Sequence, residues 1–90
     1  MALVISANRI EYEEGGEVLA EVDFPASGAG AVEICHTWVD GSMRGRGLAG
    51  LLLERTAEEL RQTGRKAVPT CSYAVDWFNK HPEYRDLLPR

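Results

Sequence analysis

The sequence predicts a small mixed α+β domain: a mostly antiparallel sheet of about four to five strands carrying two helices. Three observations lead there. Apolar and polar residues alternate with period two through much of the first 40 positions, and one 3.6-period apolar stripe runs from Ala49 to Leu60. The length, 90 residues, leaves room for a single core, so residues 1–90 read as one domain.

The elements follow in order. "RIEYEEGGEVLAEVDF" reads as two strands around a turn at Gly15-Gly16, with Ile10 and Tyr12, then Val18, Ala20, Val22 and Phe24, at alternate positions. "PASGAG" is a second turn, and "AVEICHTWVD", Ala31 to Asp40, is a third strand rich in branched and aromatic residues. After Gly41 the period changes. Ala49, Leu52, Leu53, Thr56, Ala57 and Leu60 form the inner stripe of a helix that Gly64 stops. "RKAVPTC" is a short buried strand, and "SYAVDWFNK" is a second helix with Ser72 as its expected cap and His81-Pro82 as its end. A helix between the third and fourth strands makes a parallel crossover the default connection.

Composition narrows the function. With 44% hydrophobic and 27% charged residues the chain is an ordinary folded globule. A net charge of −4 argues against nucleic-acid binding, which needs a basic surface. Two cysteines suit free thiols in a reducing compartment. "MALVISANRIEYEE" has neither the basic start of a signal peptide nor the length of a membrane span, so the expected location is the cytoplasm.

The stretch "MRGRGLAG", Met43 to Gly50, carries two phosphate-binding patterns at once. Gly45, Gly47 and Gly50 spell G-x-G-x-x-G, the dinucleotide fingerprint. Arg44, Gly47 and Ala49 spell R-x-x-G-x-A. Both put an anion at a helix N-terminus, where free N–H groups point outward and glycines admit close approach. The dinucleotide frame also needs a multi-unit parallel sheet and an acid about twenty residues onward. "VPTCS" offers no acid there, and the chain is too short for that sheet. The second frame therefore stands.

In its strand–loop–helix–strand setting, R-x-x-G-x-A resembles the central motif of the GCN5-related N-acetyltransferases. "CHTWV", "RGRGLAG" and "VPTCSYAVDWFNKHPEYRDL" together resemble the small single-domain members of that superfamily, over roughly Ile34 to Leu88. The resemblance implies the acyl-CoA N-acyltransferase fold, in which coenzyme A lies between two strands that splay apart, here "EICHTWV" and "KAVPTC". It implies acetyl-CoA as co-substrate, no metal, and an unidentified amine as acceptor. The cofactor-binding residues it implies are Thr37, Trp38 and Val39 on the strand and Arg44, Gly45, Arg46, Gly47, Leu48 and Ala49 in the loop, with Lys80 reaching a phosphate from the second helix. The superfamily's two N-terminal helices have no counterpart. Where many members carry an Asn and, seven residues on, a thiolate-protonating Tyr, this chain has Cys71 and Phe78.

Two mechanisms are open at this point. Cys71 either carries the acetyl group as a nucleophile or lines the thioester pocket while the amine attacks directly. His36 is the candidate base in both, and the two form the expected reactive pair. Cys35, His36, Cys71 and His81 are potential zinc ligands, but Cys35 and His36 are consecutive on a strand and no ligand pair has zinc spacing, so no metal is expected. Cys35 is assigned to packing, His81 to a helix terminus, and Trp38, Tyr73, Trp77 and Phe78 to core or pocket wall. A non-catalytic acyl-CoA-binding or sensing domain is the competing function, and a ligand-free interaction module is a third. Oligomeric state is left open.

Overall fold

A computed structural model describes residues 2–89. It contains six short strands rather than about four to five: β1 (Ala2–Ile5), β2 (Arg9–Glu14), β3 (Glu17–Asp23), β4 (Ala31–Ile34), β5 (His36–Val39) and β6 (Lys66–Pro69). The helices are α1 (Leu48–Thr63) and α2 (Ser72–Lys80), and 3-10 turns cover Gly41–Met43 and Pro82–Leu87. The two added strands have separate origins. β1 is an apolar N-terminal strand whose alternation is too short to read from sequence. The expected third strand breaks at Cys35 into β4 and β5.

That break divides the sheet. β1, β2, β3 and β5 form one antiparallel sheet in that order, while β4 pairs in parallel with β6 from Ala31↔Lys66 to Ile34↔Pro69. The β4–α1–β6 connection is thus the parallel crossover expected of a helix between two strands.

The layers follow from periodicity. Ile10, Tyr12, Ala20, Val22 and Val39 point to one face, where α1 lies across β2, β3, β5 and β6. All six stripe residues of α1, Ala49 through Leu60, are buried. Each fully buried leucine, Leu52 and Leu60 among them, contributes about 1.5–3 kcal/mol relative to exposure. Thr56 in the same stripe satisfies its hydroxyl by donating to the Leu52 carbonyl at 2.8 Å, so burial leaves no polar atom unpaired there. Gly64 closes the helix at φ +71°. Among the described residues, no helix is long and apolar enough to cross a membrane.

Candidate active site

The site begins with one irregular residue. Ile34 is buried under the helices, yet His36 two positions on is exposed. Strict alternation would have put both on one face. Cys35, whose N–H donates to the Asp23 carbonyl at 3.3 Å, sits between the two strands and resets the phase, as a bulge does. Thr37 and Val39 therefore take the helix side of β5, while His36 and Trp38 take the open side. Cys35 itself is exposed, which corrects its assignment to packing.

The same break opens a slot. The β4–β6 ladder ends at Ile34, whose carbonyl accepts from both Thr70 N–H (3.1 Å) and Cys71 N–H (3.2 Å). Beyond that point β5 turns to pair with β3, and among the described residues its other edge has no strand partner. At the apex of the resulting V, Thr37 Oγ1 lies 3.4 Å from Cys71 Sγ. Cys71, not Ser72, is the cap of α2: its sulfur accepts the Ala74 N–H at 3.4 Å.

From the apex a groove runs toward the glycine loop. One stretch, about 200 Å³, is lined by Thr37, Trp38, Val39, Arg44 and Tyr73. It continues into a stretch of about 280 Å³ that shares Val39, Arg44 and Tyr73 and reaches Gly45, Gly47 and Ala49. The loop leaves its backbone open to the groove. Gly45 and Gly47 hold φ +83° and +71°, a region where a β-carbon is strained, and nothing occupies the space above either Cα. Gly47 is the cap residue of α1 and provides no side-chain hydrogen bond, and no acid stands in the first turn. The first N–H groups of a 16-residue helix are thus left open toward the groove. Asp40 stiffens the approach by accepting Ser42 N–H (3.0 Å) and Ser42 Oγ–H (2.6 Å). Those bonds, the hydroxyl first, hold its carboxyl below the usual range, with the charge of Arg44 a smaller cause.

Not every expected residue joins this groove. Arg44 does, its Nε also donating to the Val39 carbonyl at 3.4 Å. Arg46 faces an adjoining cavity of about 370 Å³ with Tyr12 and Leu51. Leu48 lines that cavity as well as the groove. Lys80 lines none of these spaces and pairs with Asp76 one turn back, at 2.9 Å. His36 does not meet Cys71. On the open face, its Nε2 lies 3.3 Å from Glu21 Oε2. The expected pair is therefore split between the two sides of β5, because Cys35 resets the alternation. Glu21 was not foreseen, since only the register Glu21↔Trp38 brings it beside His36. Of the aromatics, Trp77 and Phe78 are core, whereas Trp38 and Tyr73 are exposed walls. His81 caps the C-terminus of α2, stacks on Trp77 at 4.3 Å and meets Glu83 at 3.0 Å.

Among the described residues, one trio of potential metal ligands, Glu21, Asp23 and His36, brings its ligand atoms within 4.8 Å of one another. The sequence had pointed to other candidates. Arg9 already spans these carboxylates, with Nε 2.6 Å from Asp23 and a terminal nitrogen 3.5 Å from Glu21.

Comparison with known proteins identifies the family. The model of a GCN5-related N-acetyltransferase family matches residues 9–87. The chain belongs to that family. Among solved structures it is similar to a GCN5-like protein from Staphylococcus aureus, with TM-score 0.80 and 24% identity over 98% of this chain and 87% of that one. It is also similar to the ribosomal-protein-S18-alanine N-acetyltransferase of Escherichia coli (TM-score 0.66, 17% identity, 80% of this chain and 49% of that one). A third is a Mycobacterium tuberculosis protein crystallised with coenzyme A (0.67, 18%, 83% and 47%). The chain spans about half the length of the last two. No curated protein matches it. The mixed fold with its mostly antiparallel sheet is that of this acetyltransferase family.

Proposed function

We propose that the domain transfers an acetyl group from acetyl-CoA to an amine, by direct attack within the slot. The observation that carries this reading is the continuity of the groove. It begins at Thr37, whose hydroxyl lies 3.4 Å from Cys71 Sγ, and ends on the open N-terminus of α1. The pyrophosphate would rest on the N–H groups after Gly47 with Arg44 beside it. The pantetheine amides would find partners on the free edge of β5, at Thr37, Trp38 and Val39, as an added strand does. The chemistry acetyl-CoA supplies is an activated acyl group on a thiol leaving group.

Between the two routes open from sequence, direct attack has the better support. The contacts of Cys71 are the Thr37 hydroxyl and the Ala74 N–H, and neither is a base. A thiol so placed is better suited to bordering the thioester than to attacking it. His36 serves the amine from the open face of β5. Its Nε2 lies 3.3 Å from Glu21 Oε2, a carboxylate neighbour that supports this role. The acceptor is an amine whose identity the groove leaves open, and a cytoplasmic location fits free cysteines.

Thermal unfolding with and without acetyl-CoA tests the reading first: an upward shift is expected, and none would defeat it. Intact mass after incubation then separates the routes, since an acetyl adduct on Cys71 would restore the covalent one. Phe78, buried where the family resemblance implies a tyrosine, favours a second reading, a non-catalytic acyl-CoA-binding domain. Binding without turnover of any amine would establish it.

A further inference from the structure

The charges of this chain are sorted along its length. Of the ten Lys and Arg residues only Arg9 precedes Arg44, whereas eight of the fourteen acids do. The fold turns that order into two surfaces. Arg44 and Arg46 stand at the glycine loop, and the strands of the meander carry the acids. We propose that the acetyl acceptor is a lysine side chain of a basic peptide, which docks in extended form on the acidic open face of the main sheet. This deepens the transferase reading and rests on it.

The ladder registers align that face. Val4 lies opposite Glu11, Glu11 opposite Glu21, and Glu21 opposite Trp38, so one row crosses all four strands. With strands about 4.8 Å apart, the row from Glu11 to Trp38 is roughly 10 Å long. A second row sets Arg9, Asp23 and His36 side by side. Glu13, two residues beyond Glu11 on β2, adds a carboxylate on the same side. Arg9 pairs with Glu11, Glu21 and Asp23 and offsets one of these charges. The face therefore keeps a negative excess even with His36 protonated.

The row leads to the groove. Its inner end, Trp38, also borders the stretch lined by Thr37 and Arg44, so a chain lying on the face meets the slot there. His36 stands beside Trp38 on the same side of β5. An ammonium group is attracted both by carboxylates and by the face of an indole. Val4 and Trp38, 42% and 36% exposed, give the row apolar ends that a peptide covers and a small hydrophilic amine leaves bare. Carboxylates spread over adjacent strands match a chain with several cations better than a single one. In the transfer, the lysine nitrogen bonds the acyl carbon and the carbon–sulfur bond breaks with its electron pair going to sulfur. Of the two protons the ammonium gives up, one passes through His36 to solvent and the other balances the thiolate as free thiol.

Binding and turnover are measured separately. A fluorescent peptide of alternating lysine and serine is titrated by anisotropy into the protein saturated with coenzyme A. Coenzyme A released from acetyl-CoA is followed with that peptide, with one in which glutamate replaces every lysine but one, with spermidine and with hydroxylamine. The basic peptide should show a kcat/KM about 100-fold above the acidic one, and its binding should weaken about tenfold or more as salt is raised. Joint Glu11→Gln and Glu13→Gln substitution should raise its KM about tenfold, with kcat and hydroxylamine turnover unchanged. Arg9→Gln, which removes the offsetting cation, should tighten it. Equal rates with the two peptides, or a KM unmoved in the double variant, would overturn the docking surface. Spermidine used more efficiently than the basic peptide would overturn the peptide and assign the face to a small polyamine. Peptide binding that follows these charges, with no coenzyme A released to any amine, would overturn the transferase reading and the acceptor role, with the docking surface upheld.

Discussion

The two faces of the main sheet are built from the same strands and differ in almost every physical respect. Toward α1, Ile10, Ala20 and Val22 are fully buried, and position there is set by close packing. On the other side Arg9 reaches Glu11 (3.1 Å) and Asp23 (2.6 Å), and His36 reaches Glu21 (3.3 Å), all in contact with solvent. Exposed ion pairs of this kind contribute little to stability. The packed side fixes where the groove lies, and the charged side can be altered without unfolding the domain. Substitutions on the two sides should therefore be separable: one set alters cofactor binding, the other alters reactivity toward the amine.

The largest effect expected is on the open face. His36→Gln should lower the rate of acetyl transfer by about 100-fold while leaving acetyl-CoA affinity unchanged, the usual scale for loss of a general base. Loss of cofactor binding in that variant would break the division between the faces. On the groove side, Gly47→Val forces a β-branched residue into φ +71° and puts a side chain where the anion approaches. Acetyl-CoA affinity measured by calorimetry should fall about tenfold or more, corresponding to ~1.4 kcal/mol, and saturated turnover should fall much less.

The smallest effect concerns the C-terminal 3-10 turn, tied to α1 by Arg61 and Asp86. The Arg61 hydrogen bond holds the Asp86 carboxyl below the usual carboxylate range, and His81 does the same to Glu83. A carboxyl lowered in the folded state stabilises above its unfolded pKa, and that contribution is lost as pH falls through the folded value. The unfolding temperature should be level near neutrality and decline below about pH 4. Arg61→Gln should remove part of that decline and lower the neutral value by roughly 1–3 °C, a modest change because these groups are solvated.

Much of this was legible in the sequence, and the gaps have a common cause. The α1 stripe, its Gly64 stop and the Arg44–Ala49 loop could be read directly, because helix period and glycine position are local properties. So could the crossover. What could not be read is anything that depends on register. The break at Cys35 is one residue outside either ladder, inside a run of strand formers, and no local signal marks it. Its consequence, His36 turned from Cys71 toward Glu21, joins residues that only the β3–β5 ladder aligns. Cys71 in place of Ser72 as the helix cap was missed for another reason: sulfur is a weak acceptor and ranks below a hydroxyl in any expectation.

The divided strand also bears on how the chain assembles. β1, β2 and β3 are joined by tight turns, so their pairing closes short loops at small entropic cost. The β4–β6 ladder joins Ala31–Ile34 to Lys66–Pro69 across the whole of α1. Non-local pairings of this kind are slow to form. On these grounds the meander is expected to form first, and the slot requires the crossover to dock on it. A molecule lying along β5 and on the start of α1 would stabilise the later-forming half of the protein, coupling occupancy of the groove to the final step of folding.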